Sequence, residues 1–335
     1  MITMSYTDES GRDGSGAQVY RYAVCCGLAQ KFRIKWRHVG IKKIDSNPLD
    51  TLSSSIEREK FLDTLNNFIK PEDATVRNPC LRITIRRTLS SRQLRLLLFL
   101  AGCMRSPLSL IDFTLLRPQT YAFYYANTLE RYFENLTNRL SHYESNRGSK
   151  LVVAHIKGAL KCDRQTNTDI LYSILQSIQK VLNELSHDFQ IVIITDLPKN
   201  SITWKLDSEN DPGTLQYWSS QGIINNDGTI SLGCFDFENE YSQIRNLKII
   251  RDVDPLECWR LMSSADILVG CDSSLGIIGG YLNQVNNKAV RIFPSQLDKS
   301  LPEGWFRYEN SVAGMDKNKV TISKVAEVLV NHDKF

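Results

Sequence analysis

The apolar positions in the second half of the chain follow two periods, one typical of buried strands and one typical of helices. Apolar runs at residues 151–156 and 190–195 predict strands, and the apolar positions between residues 168 and 186 have helical spacing. Further strands and a closing helix are predicted at residues 247–250, 267–270, 289–293 and 319–331. Strands that alternate with helices predict a doubly wound parallel sheet, which binds its ligands at the carboxyl ends of the strands.

The first half of the chain has a different pattern, which predicts more helices than strands. Its helices are predicted at residues 14–28, 54–69, 94–104 and 119–142, and its strands at residues 32–39 and 80–86. A chain of 335 residues is longer than one ordinary core requires, so we expect two domains. The polar segment at residues 145–149 separates the halves, which gives domains at residues 1–148 and 149–335.

The segment at residues 254–283 predicts a helix, a short buried strand, a polar turn and a second helix that contains several glycines. Pro255 suits the first turn of the first helix, and the turn at residues 271–274 caps the second. Free N–H groups and the positive end of the helix dipole favour an anion at such a start, where Asp272, Ser273 and Ser274 lie. Two interpretations remain open at this point: a phosphate site, or a helix start that Asp272 or Ser273 simply caps.

The composition is that of a globular protein, with 42% apolar residues, 23% charged residues and a net charge of +4. This mild charge argues weakly for an anionic ligand and against a nucleic-acid partner. The eight cysteines have no Cys-x-x-Cys spacing, so we expect no metal site. Several cysteines lie in apolar runs, which favours a reducing compartment, and the polar residues 1–15 do not resemble a signal peptide. We therefore expect a cytoplasmic protein.

The most membrane-like run, at residues 94–104, is about half the length of a spanning helix, so we expect no spanning segment. A buried helix is the first interpretation of this run. Peripheral contact with a membrane is the alternative, because a basic strip lies beside it. The strip consists of Arg82, Arg86, Arg87, Arg92 and Arg95.

Several segments together resemble the fucosyltransferase superfamily of GT-B-fold glycosyltransferases. The resemblance includes its alpha-1,2, alpha-1,6 and protein-O-fucosyltransferase-like members and its xylosyltransferase-like branches. The similar segments are the glycine–glutamine loop and helix at residues 14–23, the strand end at residues 36–41, the motif at residues 153–157 and the block at residues 262–283. The third motif departs from the family pattern, because Lys157 replaces its first arginine and residues 158–163 do not read Arg-Gly-Asp.

The resemblance implies an α/β protein of the GT-B type, with two Rossmann-like domains that face a cleft. It also implies inverting transfer of a sugar from a nucleotide diphosphate sugar, with GDP-fucose favoured, to a glycan hydroxyl, without a metal or other cofactor. The implied donor-binding residues are Gly16, Gln18, His155, Lys157, Asp196, Asp272, Ser273 and Ser274. Among them, Lys157 and the helix start at Ser273 would hold the diphosphate, and Asp196 would bind the base or ribose.

An inverting transferase needs a base that takes the proton of the acceptor hydroxyl. Asp45 is the first candidate for this base, followed by Asp50 and His38, all at or beyond the strand that contains Trp36. A xylosyltransferase or another deoxyhexosyltransferase of the same fold is the alternative activity. A catalytically silent sugar-nucleotide-binding protein is a further alternative, which the change at Lys157 motivates.

Overall fold

The computed structural model describes residues 2–6, 15–42, 55–74, 81–85, 90–103, 111–115, 126–140, 148–157, 166–205, 229–232, 234–251, 254–284 and 289–332. The chain divides into two compact units. The first consists of Met1–Asn47, Leu52–Ser141 and Lys299–Pro302, and the second of Pro48–Thr51, His142–Asp298 and Glu303–Phe335. The main division, between Ser141 and His142, lies seven residues before the predicted boundary at 148/149.

The first unit contains a parallel sheet and helices that alternate with its strands. Its elements are β1 (Ile2–Ser5), α1 (Ser15–Lys31), β2 (Lys35–Trp36), α2 (Ser55–Ile69), β3 (Leu81–Ile85), α3 (Ser91–Cys103), β4 (Ile111–Leu115) and α4 (Ala126–Thr137). In the described part of this unit, the strand order is β2-β1-β4-β3 and every pair is parallel.

Strands β1 and β4 form the centre of this sheet, although the sequence pattern predicts neither. Their register pairs polar residues, with Thr3 opposite Asp112 and Ser5 opposite Thr114. The fully buried Asp112 carboxylate accepts hydrogen bonds from Thr3 Oγ1 at 2.9 Å, Ser5 Oγ at 2.7 Å and Arg37 Nη2 at 2.6 Å. Because these polar groups satisfy one another, the strands tolerate a polarity that is typical of loops.

The predicted strand at residues 32–39 is reduced to β2, and this part of the prediction is wrong. Helix α1 continues to Lys31, and Arg33 then adopts a left-handed conformation with φ of 56°. The N–H of Ile34 donates to the carbonyl of Ala29 at 2.8 Å, which closes the helix end. This helix termination uses the residues that the apolar pattern assigned to a strand.

The prediction that residues 94–104 form a buried helix is correct for the helix and wrong for the burial. Helix α3 covers this run up to Cys103, but the side chains of Leu96, Phe99 and Leu100 are 60%, 63% and 50% exposed. The run places apolar residues all around the helix, and the three exposed ones share one side of it.

The second unit contains a larger parallel sheet with helices between its strands. Its elements are β5 (Lys150–Ile156), α5 (Thr168–Glu184), β6 (Phe189–Thr195), β7 (Ile202–Lys205), β8 (Thr229–Leu232), α6 (Phe237–Glu240), β9 (Leu247–Arg251), α7 (Pro255–Ser263), β10 (Ile267–Val269), α8 (Ser274–Asn283), β11 (Val290–Pro294), β12 (Phe306–Tyr308) and α9 (Met315–His332). Strands β7 and β8 form a separate antiparallel pair within a region for which no strand is predicted, and the short β12 is also unpredicted.

The strand order of the larger sheet is β12-β11-β10-β5-β6-β9, with every pair parallel. If its strands are numbered from β5 in chain order, this is the 3-2-1-4-5-6 order of a Rossmann sheet. The chain adds β6 and β9 on one side of β5, then returns to add β10, β11 and β12 on the other. The switch point therefore lies between the carboxyl ends of β5 and β10.

Helices α7 and α8 pack closely beside this switch point. A Cβ atom at Gly279 would lie 2.1 Å from Sδ of Met262, so the contact requires glycine. The buried Asn283 donates through Nδ2 to the carbonyls of Met262, Ser263 and Ala265, at 3.0, 3.2 and 2.8 Å. These contacts satisfy the end of α7 and fix α8 against it. The predicted α/β class with two Rossmann-like parallel sheets is confirmed.

Candidate functional site

The carboxyl ends of three neighbouring strands bring together the predicted donor-binding residues of the second unit. Strand β5 pairs with β10 through Ala154 and Val269, and with β6 through Ile156 and Thr195. Because these strands are parallel, their ends meet at one edge of the sheet. The residues that follow the three strands at this edge are Lys157, Asp196 and Cys271–Ser274.

The start of helix α8 leaves backbone donors available at this edge. Ser273 is the N-cap, and its Oγ accepts a hydrogen bond from the N–H of Gly276 at 3.1 Å. The carbonyl of Ser273 accepts from the N–H of Ile277 at 2.9 Å. Within the part of the chain that the structure describes, the N–H groups of Ser274 and Leu275 have no protein acceptor. Such donors and the helix dipole together favour an anion.

His155, on strand β5, packs against the turn and the first residues of α8. Its Nδ1 lies 3.3 Å from Sγ of Cys271, and both side chains are buried. Burial, followed by the charge of Lys157, lowers the pKa of His155 to about 3, so the ring is neutral at pH 7. A Cβ atom at Gly276 would lie 2.8 Å from Nδ1 of His155, which shows how closely the first turn of α8 approaches β5. The position of His155 therefore suits a packing residue that holds the helix start.

Charged side chains of opposite sign act on the Cys271 thiol. Burial is the largest cause that raises the pKa of Cys271, to about 12; the charge of Lys157 opposes this rise and that of Asp196 adds to it. Both Lys157 and Asp196 are partly exposed. The edge therefore combines a cation and a carboxylate with the free backbone donors of α8.

Three further residues, Cys271, Thr166 and Tyr308, shape this edge and were not among the predicted site residues. Thr166 donates through its N–H to the carbonyl of Lys157 at 3.1 Å, and its side chain also hydrogen-bonds Cys271. The hydroxyl of Tyr308 donates to the carbonyl of Gly270 at 3.2 Å. Cys271 lies inside the predicted turn, which was the available signal, whereas Thr166 and Tyr308 reach the edge only through the fold.

The turn that carries Asp196 is held by an ion pair at the end of β9. Arg251 Nε donates to the carbonyl of Leu197 at 3.2 Å, and Arg251 Nη1 lies 2.6 Å from Oε1 of Glu238. The hydrogen bond from Arg251 is the largest cause that lowers the pKa of Glu238, to about 2. The N–H of Leu197 also donates to Oγ1 of Thr195 at 3.0 Å. Arg251 thus positions the backbone next to Asp196.

A separate group of hydrogen bonds in the first unit determines the state of His38. Trp36 Nε1 donates to the hydroxyl oxygen of Tyr22 at 2.7 Å, and this oxygen lies 2.7 Å from Nδ1 of His38. Tyr22 is fully buried, and this burial is the main cause that raises its pKa well above its usual range. The hydroxyl therefore keeps its proton and needs an acceptor.

Among the residues that the structure describes, Nδ1 of His38 is the available acceptor for the Tyr22 proton. Tyr22 therefore donates to Nδ1, and the neutral imidazole of His38 carries its proton on Nε2. Burial, followed by the charge of Lys70, lowers the pKa of His38 to about 4. At neutral pH the ring presents an N–H donor at Nε2 and does not present a basic nitrogen there.

The remaining predicted residues of the N-terminal half are only partly described. Gly16 and Gln18 lie in the first turns of α1, where both are buried. Asp45 and Asp50 lie outside the described residues. Six of the eight predicted donor-binding residues therefore lie at one edge of the second unit: His155, Lys157, Asp196, Asp272, Ser273 and Ser274. Across the described ranges, no group of three or more His, Cys, Asp or Glu side chains could hold a metal ion.

Solved structures that align with most of this chain do so at low identity. The E. coli heptosyltransferase WaaC with ADP is 10% identical, with a TM-score of 0.42 over 97% of this chain and 99% of that chain. The E. coli ADP-heptose LPS heptosyltransferase II is 8% identical, with a TM-score of 0.39 over 99% and 100%. POFUT1 in complex with GDP is 9% identical, with a TM-score of 0.38 over 91% and 98%.

No protein-family model and no curated protein matches the chain. Because TM-scores below 0.5 at such identities establish neither family nor activity, we infer the function from the site residues and the sequence motifs.

Proposed function

We propose that this protein is an inverting glycosyltransferase that binds a nucleotide diphosphate sugar at the switch point of its second unit. One observation carries the proposal: the free N–H groups of Ser274 and Leu275 lie at the start of α8, at the sheet edge that also carries Lys157. Ligands of Rossmann sheets bind at such switch points, and helix starts bind phosphates.

The residues at this edge could bind the different parts of the sugar-nucleotide donor. The backbone N–H groups and the charge of Lys157 would stabilise the negative charge that develops on the leaving diphosphate. Lysine supplies a point charge and lacks the bidentate fork of arginine, so the helix start carries more of the orientation. The carboxylate of Asp196 would accept hydrogen bonds from a base or ribose hydroxyl, and Asp272 would line the same edge.

The reaction is a single displacement at the anomeric carbon of the sugar. The acceptor oxygen forms a bond to this carbon while the bond to the diphosphate oxygen breaks, which inverts the configuration. A base takes the proton of the acceptor hydroxyl, and the nucleoside diphosphate leaves as an anion. We assign the base to Asp45, with Asp50 as the alternative, because His38 Nε2 already carries a proton in the neutral ring.

The finer assignments rest on the sequence motifs. Fucose from GDP-fucose is the favoured donor, a glycan hydroxyl is the acceptor, and we propose that neither a metal nor another cofactor takes part. Xylose or another deoxyhexose is the alternative sugar. Cytoplasmic location and the absence of a nucleic-acid partner stay predictions. Among the described residues, no helix is long and apolar enough to cross a membrane.

Isothermal titration with GDP, UDP, GDP-fucose and UDP-xylose tests the proposal. We expect one of these ligands to bind, and Lys157→Met to raise its Kd roughly ten- to 150-fold, the value of a charged hydrogen bond. Lys157→Arg should retain most of the affinity. Lys180→Met removes a 79% exposed lysine of α5 and should leave the Kd unchanged.

Absence of binding by every nucleotide would overturn the proposal. Tight binding with neither transfer to a glycan acceptor nor slow hydrolysis of the sugar nucleotide would instead identify a silent binding protein. Transfer that survives Asp45→Asn and Asp50→Asn would show that neither carboxylate is the base.

A further inference from the structure

One side of helix α3 is apolar, basic and exposed. Leu96, Phe99 and Leu100 are spaced three and four residues apart, so they share one side of the helix. Arg92 lies one turn before Leu96 on the same side, and Arg95 lies one turn before Phe99. All five side chains are exposed. We call these five residues the α3 face.

The large exposed apolar residues of the described ranges are concentrated in one stretch of the chain. Seven such side chains are exposed, and five of them belong to α3 or to β3, the strand that precedes it in sequence. In β3, Leu81 is 53% exposed and Ile83 is 38% exposed. Single exposed leucines are ordinary, but such a concentration marks an interaction surface.

The charge of these elements is of one sign. The sequences of α3 and β3 contain Arg82, Arg92 and Arg95 but no aspartate or glutamate. Arg92 lies in the first turn of α3, where the helix dipole disfavours cations, and this turn has no acidic residue. Arg92 and Arg95, beside exposed Leu and Phe side chains, are suited to an anionic and apolar partner.

We propose that the α3 face binds the surface of an anionic lipid bilayer, with α3 lying in the plane of the interface. A helix of 13 residues is about 20 Å long, too short to cross a hydrocarbon core of about 30 Å. Leu96, Phe99 and Leu100 enter the boundary between headgroups and acyl chains, and Arg92 and Arg95 contact lipid phosphates or carboxylates. This binding is independent of any sugar-nucleotide chemistry in the second unit.

Flotation of the full-length protein with vesicles tests the proposal. We expect partition onto phosphatidylcholine vesicles with 30% phosphatidylserine, and much weaker partition onto pure phosphatidylcholine. Each arginine near the surface contributes about fivefold, so Arg92→Gln and Arg95→Gln together should lower the partition coefficient roughly 25-fold. Phe99→Gln should lower it at least tenfold. Salt at 0.5 M should also weaken the binding.

The matched controls remove similar side chains elsewhere. Val320→Gln removes a 57% exposed apolar side chain of α9, and Arg131→Gln removes an exposed arginine of α4. Neither should change vesicle binding, and all variants should keep the wild-type circular dichroism spectrum. Failure of the wild-type protein to bind anionic vesicles would overturn the proposal, as would equal effects of control and α3 variants. Self-association in sedimentation that Phe99→Gln abolishes, without vesicle binding, would make the face an interface between copies instead.

Discussion

Replacement of Tyr22 by phenylalanine tests the hydrogen-bond chain that ends at His38. The substitution removes the oxygen that accepts from Trp36 Nε1 and donates to His38 Nδ1. Trp36 is 3% exposed, so its N–H loses its acceptor without gaining water. A buried donor without a partner costs about 1–3 kcal/mol, so we expect the free energy of unfolding to fall by about 2 kcal/mol. For a unit of this size, Tm should fall by roughly 4–8 °C.

The same substitution should change the protonation of the His38 ring. In the wild type, 15N spectra should place the His38 proton on Nε2 and show Nδ1 as an acceptor. In Tyr22→Phe, the donor to Nδ1 is lost, so the Nδ1–H form should become populated. The chain contains five histidines, which makes assignment by single His substitutions practical.

Tyr20→Phe is the control, because Tyr20 lies in the same helix and is 8% exposed. Its hydroxyl makes no hydrogen bond within the described part of the chain, so this variant should keep the wild-type Tm and His38 spectrum. A wild-type His38 protonated on Nδ1 would refute the tautomer assignment, and equal stability of the two variants would refute the expected cost of the unpaired Trp36 N–H.

Two further predictions concern the start of α8 and the two histidines whose pKa values are lowered. Gly276→Ala should destabilise the protein by about 1–3 kcal/mol and weaken nucleotide binding, because its Cβ would meet His155 Nδ1 at 2.8 Å. In a double-mutant cycle measured by calorimetry, His155→Ala should relieve part of the destabilisation that Gly276→Ala causes. Strict additivity of the two changes would argue against this contact. The pKa values of His38 and His155 are lowered from 6.5 to about 4 and about 3 in the folded protein. As the pH falls, these histidines therefore take up protons in the unfolded chain before they do so in the folded protein. Stability should be fully present above pH 6.5 and fall progressively between about pH 6.5 and 3, by at most about 1.4 kcal/mol per pH unit for each histidine. Urea titrations at several pH values measure this slope, which His155→Gln should reduce; an unchanged slope would contradict the buried neutral ring.

The second unit follows its sequence pattern closely, for a physical reason. Strands β5, β6 and β10 are buried on both faces, so their residues form continuous apolar runs that the pattern identifies. The helix start after residues 271–274 follows equally from local sequence, which left Asp272 and Ser273 as alternative caps; the N-cap is Ser273. The order of the strands, and therefore the approach of Lys157 to Cys271, depends on the fold and could not be read from any local segment.

The first unit was harder to predict because tertiary contacts override its local pattern. Asp112 reads as a loop residue, yet Thr3, Ser5 and Arg37 satisfy its carboxylate inside the sheet. The exposure of α3 was missed because an apolar run does not reveal which side of a helix packs. The role of Tyr22 depends on contacts with Trp36 and His38, which lie 14 and 16 residues later in the sequence. Only the fold brings these two side chains to the Tyr22 hydroxyl.

The proposed activity requires that a nucleoside diphosphate binds at the switch point of the second unit. A crystal structure with GDP, and a second one with UDP, would show where the nucleotide binds. We predict that phosphate oxygens accept hydrogen bonds from the N–H groups of Ser274 and Leu275, and that the Lys157 ammonium lies against the same diphosphate. A nucleotide bound away from the carboxyl ends of β5 and β10, with the start of α8 in contact with solvent alone, would contradict the account.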